Sequence, residues 1–228
     1  MYYSRKGSNS VNNPLYEATL SNYEWSAYDE IIDNLSVNWY LNDYLTVKGQ
    51  FSVTKQYTSS ERFYDPLSSK VSVYGTTDTK LQGDLFTGEG SSLSWNSNAF
   101  LYYTRSFGNH NFNFSGGWEA SAYNTENTSA QYRGFPSGQF NSLNYASEIY
   151  KKPTLTENTT RRVSILATLN YTWNDIYLAD ASVRFDGSSE FGANQKWAPF
   201  FSGGLGVNIH NYDFLKGNEK INKLKVRA

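Results

Sequence analysis

The fold of this chain is decided by residues 163–185, which read VSILATLNYTWNDIYLADASVRF. From Val163 to Trp173 the odd positions are apolar, whereas the even positions are polar apart from Leu166. An alternation with a period of two residues is typical of a β-strand that has one apolar and one polar face. We therefore predict an antiparallel hairpin whose apolar side chains share one face.

The length of the turn decides how this hairpin pairs. A two-residue turn, Asn174-Asp175, would pair Trp173 with Ile176 and place Leu169 opposite Asp180. A three-residue turn over 174–176 instead pairs apolar residues with one another throughout, which the burial of one face requires. The pairs in this predicted register are Trp173 with Tyr177, Tyr171 with Ala179, Leu169 with Ala181, Ala167 with Val183, and Ile165 with Phe185.

Similar hairpins are predicted around short turns at 42–44 and 108–111, and another strand follows over 197–209. Residues 1–28 show no sustained period and are predicted to form a loop. Longer loops are predicted over 57–90, 124–160 and 187–196. We expect about eight antiparallel strands of roughly 11 to 14 residues, long enough for a tilted strand to cross a bilayer, which takes about 9 to 11.

Short turns that alternate with long loops, and aromatic residues near both strand ends, are typical of an outer-membrane β-barrel. Two alternatives remain open. One is a self-contained eight-stranded outer-membrane barrel with an anchoring or adhesive role, and the other is a soluble glycan-binding β-sandwich. The polar face is richer in Asn, Ser and Thr than in Lys and Glu, which favours the membrane barrel over a solvated sheet.

Composition excludes several classes of protein. A net charge of −1 offers no basic surface for nucleic acid, and the absence of cysteine excludes disulfides and thiolate metal sites. No stretch approaches the roughly 18 consecutive apolar residues of a membrane helix. His110 and His210 both fall in predicted short turns without carboxylates at metal-binding spacing. We predict no enzymatic activity, no metal and no cofactor.

The candidate binding residues form two sets. Charges on the predicted inward face are expected to line water or to pair across strands; these are Arg162, Asp180 and Arg184. Aromatic residues of the loops are candidates for contacts with a ligand, although packing within the loops is the favoured interpretation; these are Tyr132, Phe135, Phe140 and Tyr145.

The segment from 164 to 228 resembles one family. The blocks YTWNDIYL at 171–178, ASVRFDGSSEFG at 181–192 and INKLKVRA at 221–228 are similar to the barrel of SusC/RagA-type TonB-dependent transporters of Bacteroidetes. Asn13-Pro14 resembles the Asn-Pro loop before an earlier hairpin of that family. The matched motif residues are Asp186, Gly187, Ser188, Ser189, Phe191, Gly192 and Trp197.

The resemblance implies an outer-membrane transporter that imports oligosaccharides or peptides together with a SusD-like lipoprotein. Residues 1–228 would then be part of a barrel of about 22 strands. The plug, the remaining strands and the segment that binds TonB would lie outside this chain. The long loops 57–90 and 124–160 would be outer loops that contact the glycan or peptide ligand or the lipoprotein, and the apolar face would contact outer-membrane lipid.

Overall fold

The computed structural model describes residues 3–6, 9–12, 14–71, 78–192, 195–215 and 221–228. Its fold is all-β. The strands are β1 Tyr3–Lys6, β2 Asn9–Asn12, β3 Tyr23–Asn42, β4 Leu45–Tyr64, β5 Asp84–Phe107, β6 His110–Arg133, β7 Glu148–Trp173, β8 Tyr177–Ser188, β9 Trp197–Asn208 and β10 Lys225–Arg227. A short helix, α1, spans Pro14–Glu17, and 3₁₀ turns lie at Thr79–Leu81, Leu143–Tyr145 and Ile209–Asn211. Among the described residues, no helix is both long and apolar enough to cross a membrane.

The large sheet is open and contains eight strands. Each strand pairs with its neighbours in the sequence, in the order β3-β4-β5-β6-β7-β8-β9-β10, while β1 and β2 form a separate ribbon. The predicted number of strands is confirmed. Within the described ranges β3 and β10 are edge strands that do not pair with each other, which contradicts a self-contained eight-stranded barrel.

The pairing of β7 with β8 confirms the predicted register. Trp173 lies opposite Tyr177, and the pairs continue through Leu169 with Ala181 to Ile165 with Phe185. The turn residues Asn174 and Asp175 have φ angles of 54° and 56°. Asn and Asp tolerate this left-handed backbone better than other side chains, which explains how a three-residue turn forms without glycine.

The other two short turns are tighter than predicted. Only Asp43 and Tyr44 separate β3 from β4, and the Asn42 Oδ1 atom accepts a hydrogen bond of 3.1 Å from the Tyr44 N–H, which closes the turn from within. Gly108 and Asn109 alone separate β5 from β6, where Gly108 takes a φ of 58°. His110, predicted to be a turn residue, is therefore the first residue of β6.

The predicted bounds of the long loops are wrong. The strands β4 to β7 extend well into 57–90 and 124–160, so the connections shorten to 65–83 and 134–147, and the strands reach 20 to 26 residues instead of 11 to 14. Both faces become polar along these strand ends, although backbone hydrogen bonds between the strands continue. Because hydrophobic alternation disappears where both faces are polar, the sequence pattern does not indicate a strand there.

The N-terminal prediction of a loop over 1–28 is also wrong, because β1, β2, α1 and the start of β3 lie there. Of the Asn-Pro pair, Pro14 opens α1, and Asn13 lies outside the described residues.

The chain divides into two compact units. The first unit comprises Met1–Ile31, Lys55–Ser92 and Asn124–Asn158. Its apolar core consists of Phe63, Leu85 and Phe135, with the rings of Phe63 and Phe135 edge to face at 5.1 Å between centroids. Tyr23, Tyr132 and Ala146 pack against this core, so the connection 134–147 is attached to the strands through an apolar contact.

The second unit comprises Ile32–Thr54, Leu93–Tyr123 and Thr159–Ala228. Its apolar side chains are uncovered instead of packed in a core: Phe201 is 72% exposed and Leu205 is 70% exposed. A β-sandwich buries such a face against a second sheet. This exposure contradicts the soluble sandwich.

Candidate functional site

The motif residues 186–192 form the end of β8 and the connection to β9. The Ser189 N–H donates to the Arg161 carbonyl oxygen at 2.9 Å, and the Arg161 N–H donates to Ser189 Oγ at 2.9 Å. The Ser188 hydroxyl accepts from the Glu190 N–H at 3.1 Å, which tightens the turn. The two bonds between Ser189 and Arg161 attach the connection to β7, next to Arg162, where the pairing of β7 with β8 begins.

Gly187 is required by its neighbour across the strands. A Cβ atom at this position would lie 3.0 to 3.1 Å from three carbon atoms of the Trp197 ring, which is closer than ordinary van der Waals contact. At Gly192 a Cβ atom would meet no atom of the described residues within 4 Å. The two glycines of the motif therefore have different roles, and Gly187 makes room for the ring of Trp197.

The three predicted inward-facing charges all lie on the polar face of the second unit, and each of them is paired. Arg162 Nη2 bonds Glu190 Oε2 at 2.7 Å. Arg184 Nε bonds Asp186 Oδ1 at 2.6 Å. Asp180 pairs with Arg227. Because every charge is compensated locally, this surface offers water-exposed ion pairs, each of which stabilises the fold by about 0 to 1 kcal/mol.

The predicted loop aromatics separate into buried and exposed side chains. Phe135 is 3% exposed within the core, and Tyr132 packs against that core, so both stabilise the first unit. Phe140 and Tyr145 are 45% and 48% exposed, and their rings meet edge to face at 5.0 Å. Only this second pair presents aromatic surface at the connection 134–147.

The first unit also contains a cavity of about 670 Å³, which we call the first-unit cavity. Residues of β3 to β7 line it, and they include Glu24, Ser60, Arg62, Phe86, Gln131 and Lys152. Ser129 Oγ and Thr154 Oγ1 hydrogen bond at 2.7 Å, which places Gln131 and Lys152, each two residues away, on one face of β6 and β7.

Arg62 is the central cation of the cavity. Its guanidinium lies over the Phe86 ring at 4.5 Å, and its ion pair with Glu24 is long, 3.8 Å between Nη1 and Oε1. Its Nε atom is buried and finds no hydrogen-bond acceptor among the described residues. Next to it, Gln131 Nε2 donates to Asp84 Oδ1 at 3.1 Å, which occupies the amide.

Sequence analysis missed this cavity. Its side chains lie within the stretches predicted to be loops, in which no side chain was assigned to a strand face; these are Arg62, Phe86, Gln131 and Lys152. The detectable signal was local: Ser60, Arg62 and Tyr64 continue the polar parity of β4 beyond its apolar stretch.

The histidines do not form a reactive site. His110 stacks between the rings of Tyr171 and Trp173, and its Nδ1 lies 2.6 Å from the Tyr171 hydroxyl. His210 Nδ1 lies 3.0 Å from the Leu224 carbonyl oxygen. Throughout the described ranges, no group of three or more His, Cys, Asp or Glu residues is arranged to bind a metal ion.

Comparison with known proteins finds similarity to TonB-dependent receptors. No protein-family model matches the chain. The TonB-dependent receptor P3 of Formosa agariphila is 32% identical over 130 residues, which are 57% of this chain and 13% of that protein. The TonB-dependent receptor SusC of Bacteroides thetaiotaomicron is 28% identical over 224 residues, 96% of this chain and 21% of SusC. The chain is similar to a barrel segment of the SusC/RagA-type TonB-dependent receptors.

A solved structure supports the fold of this chain. The structure of the RagAB peptide transporter matches 99% of this chain and 24% of that chain, with a TM-score of 0.84 and 21% sequence identity. The chain spans between 9% and 23% of the length of the curated relatives that it matches. TonB-dependent receptors are outer-membrane proteins, and the localisation predicted from the sequence is confirmed.

The aromatic cluster at one end of the second unit fits the similarity to TonB-dependent receptors. The rings of Trp173 and Tyr177 stack at 5.3 Å, and Tyr212 contacts both Tyr177 and Phe214. Arg105 lies over Tyr44 at 4.6 Å on the same short-turn side of its own hairpin. Amphipathic rings of this kind form the interfacial girdle of a membrane barrel.

Proposed function

We propose that this chain forms part of the wall of a larger barrel through which oligosaccharides or peptides are imported across the outer membrane. The observation that carries the proposal is the exposed apolar face of the second unit, opposite a polar face of paired charges. The apolar face is compatible with contact with lipid, and the polar face is compatible with contact with a water-filled lumen. The proposed role is transport, without enzymatic activity of the segment itself.

The extended ends of β4 to β7 supply the second argument. A tilted strand crosses a bilayer in about 9 to 11 residues, and these strands have 20 to 26. About half of each strand is therefore available outside the hydrocarbon layer. We propose that these ends, with the connections 65–83 and 134–147, form outer surfaces that contact the ligand or the partner.

The partners follow from the family. We propose a SusD-like lipoprotein at the outer connections, and TonB through a plug and TonB-binding segment outside this chain. The RagAB peptide transporter, to which the chain is similar in fold, supports a peptide as the ligand, and the sequence resemblance adds an oligosaccharide as the other candidate. Asp186, Gly187 and Trp197 are proposed to maintain the wall instead of touching the ligand.

A loop replacement in the receptor that carries this chain tests the proposal. Residues 137–145 are replaced with a short Gly/Ser linker, which retains Phe135 and Ala146 in the core and uses strand ends that already meet, since the Ser147 N–H donates to the Gly134 carbonyl oxygen at 2.9 Å. We expect import or lipoprotein binding to be lost while the barrel still migrates as a folded species on a heat-modifiability gel.

The control replaces the turn Gly108-Asn109 with Asn-Gly, which also accepts a left-handed backbone. We expect this variant to import normally. Two results refute the proposal. In the first, the 137–145 replacement unfolds part of the receptor population, and uptake by the receptors that still fold is unaffected. In the second, the barrel stays folded, and uptake and lipoprotein binding are both unchanged.

A further inference from the structure

We propose that the first-unit cavity binds a carboxylate group of the imported ligand, with Lys152 and Arg62 as the cations that contact it. This inference rests on the proposed function, because it assigns a ligand chemistry to the face that we propose for the lumen. Of the three β7 residues of the cavity, Lys152 and Thr154 take even positions, as do the polar residues of the same strand nearer its C-terminal end, whereas Lys151 takes an odd one.

Lys152 supplies an uncompensated positive charge. It forms no ion pair with any described residue, whereas the three charges predicted to face inward, Arg162, Asp180 and Arg184, are all paired. An ammonium group without a counter-ion beside a concave surface attracts an anion, and the concave wall strengthens the field by excluding water.

Arg62 is oriented for the same anion. The contact with Phe86 limits the rotation of the guanidinium, and Glu24 compensates it only weakly at 3.8 Å with a side chain that is 71% exposed. A planar guanidinium binds a carboxylate through two parallel hydrogen bonds, and an aromatic contact that restricts its rotation lowers the entropy lost on binding.

The acidic residues of the cavity do not cancel this charge. The Glu61 carboxylate accepts a hydrogen bond from the Tyr23 hydroxyl and is thereby engaged. The charged side chains that line the cavity are Arg62, Lys151 and Lys152 against Glu24 and Glu61, an excess of one positive charge.

The size of the cavity matches a short ligand segment. Its volume of about 670 Å³ falls within the range of about 300 to 1,000 Å³ that small-molecule sites occupy. The wall is partly aromatic at Phe86 and partly hydroxyl-bearing at Ser60, and both surfaces suit either a sugar ring or a peptide. The shared chemistry is the carboxylate, which an acidic sugar or an acidic peptide supplies.

Binding measurements on the purified receptor that carries this chain test the inference. The probes are trigalacturonate against neutral galactotriose, and an aspartate-containing tetrapeptide against its asparagine-containing, C-terminally amidated counterpart. We expect one of the two acidic probes to bind more tightly than its neutral partner, and its affinity to fall as salt is raised. The acidic probe that binds identifies the source of the carboxylate.

The variants are Lys152→Gln and Arg62→Gln, with Lys55→Gln as the matched control. Lys55 lies in the same unit, but seven residues before Arg62 and hence at a position of the opposite parity on β4, where its ammonium contacts the Tyr57 ring at 4.7 Å. We expect Lys152→Gln to weaken binding of the acidic probe about tenfold and to flatten the salt dependence of that binding. We expect binding of the neutral probe to stay unchanged, and the Lys55→Gln variant to bind the acidic probe as the parent does.

Two results overturn the inference: neither acidic probe is preferred over its neutral counterpart, or Lys152→Gln and Arg62→Gln leave the preference intact. Import in cells separates this failure from failure of the proposed function. When the parent imports a neutral glycan or peptide but shows no carboxylate preference, only the inference fails. When the parent imports neither ligand class, the proposed function fails as well.

Discussion

At the scale of single residues, Glu17 shows how a carboxylate attaches the N-terminal segment to the first unit. At the end of α1, its side chain accepts hydrogen bonds from Asn22 Nδ2 at 3.3 Å, Ser68 Oγ at 2.9 Å and the Ser69 N–H at 2.8 Å. Burial raises the pKa of Glu17, but these hydrogen bonds outweigh burial, and the net pKa lies below its ordinary value of 4.5.

The direction of this pKa shift predicts a pH dependence. Because the folded pKa is lower than the unfolded one, the stabilisation is complete above pH 4.5 and is lost as the pH falls through the lowered folded pKa. We expect Glu17→Gln to destabilise this attachment by about 1 kcal/mol at neutral pH and to remove its acid dependence. Hydrogen exchange of the segments 14–22 and 65–71 between pH 3 and pH 7 measures both effects.

The matched control is Glu157→Gln, an exposed carboxylate on β7 in the same unit. We expect this substitution to leave exchange in both segments unchanged. A Glu17→Gln variant whose exchange keeps the parent's acid dependence would contradict the assignment of that dependence to Glu17.

At the scale of elements, the turn 174–176 connects three strands. Besides closing the β7–β8 hairpin, the Asp175 carbonyl oxygen accepts hydrogen bonds from Asn208 Nδ2 at 2.7 Å and Asn211 Nδ2 at 2.8 Å. The end of β9 and the 3₁₀ turn after it are thereby attached to the neighbouring hairpin. Asn174 and Asp175, which both have a left-handed backbone, form the turn that carries this carbonyl oxygen.

We predict opposite outcomes for two substitutions at Asn174. Asn174→Val places a β-branched side chain at a φ of 54° and is expected to cost about 1 to 2 kcal/mol, whereas Asn174→Gly is expected to be tolerated. The measurement is the urea midpoint for unfolding of the receptor in detergent. Equal midpoints for the valine and glycine variants would show that the turn does not depend on this backbone conformation.

At the scale of the whole molecule, the proposed membrane arrangement is tested by adjacent residues on opposite faces of β9. Phe201 lies on the apolar face, opposite Val183, and Ser202 lies on the polar face, where its hydroxyl is 2.6 Å from that of Ser182. We expect Phe201→Arg to cost about 2 to 4 kcal/mol in the bilayer, because lipid does not solvate the charge, and Ser202→Arg to be tolerated.

The amount of heat-modifiable receptor in isolated outer membranes measures this difference. The expected result is a strong reduction for Phe201→Arg beside near-parental levels for Ser202→Arg. The reverse order would mean that the polar row faces lipid, and it would overturn the assignment of the two faces.

The sequence by itself determined the register of β7 with β8, the number of strands and the resemblance to a family. These features depend on local order: a shift of one residue would turn every apolar side chain from Ile165 to Trp173 to the wrong face, so only one pairing satisfies the alternation. The block from Asp186 to Gly192 is likewise local, because its residues are contiguous in the sequence and form one connection, which is hydrogen bonded to the adjacent strand.

Only the tertiary structure decided how far β4 to β7 extend and what their ends bring together. Beyond the apolar stretch both faces are polar, so the alternation disappears while backbone pairing between neighbouring strands continues. Arg62, Phe86, Gln131 and Lys152 come from four different strands, and they meet through cross-strand pairing that no single stretch of sequence contains. The burial of Phe135, expected to be a candidate for ligand contact, depends in the same way on Phe63 and Leu85 from two other strands.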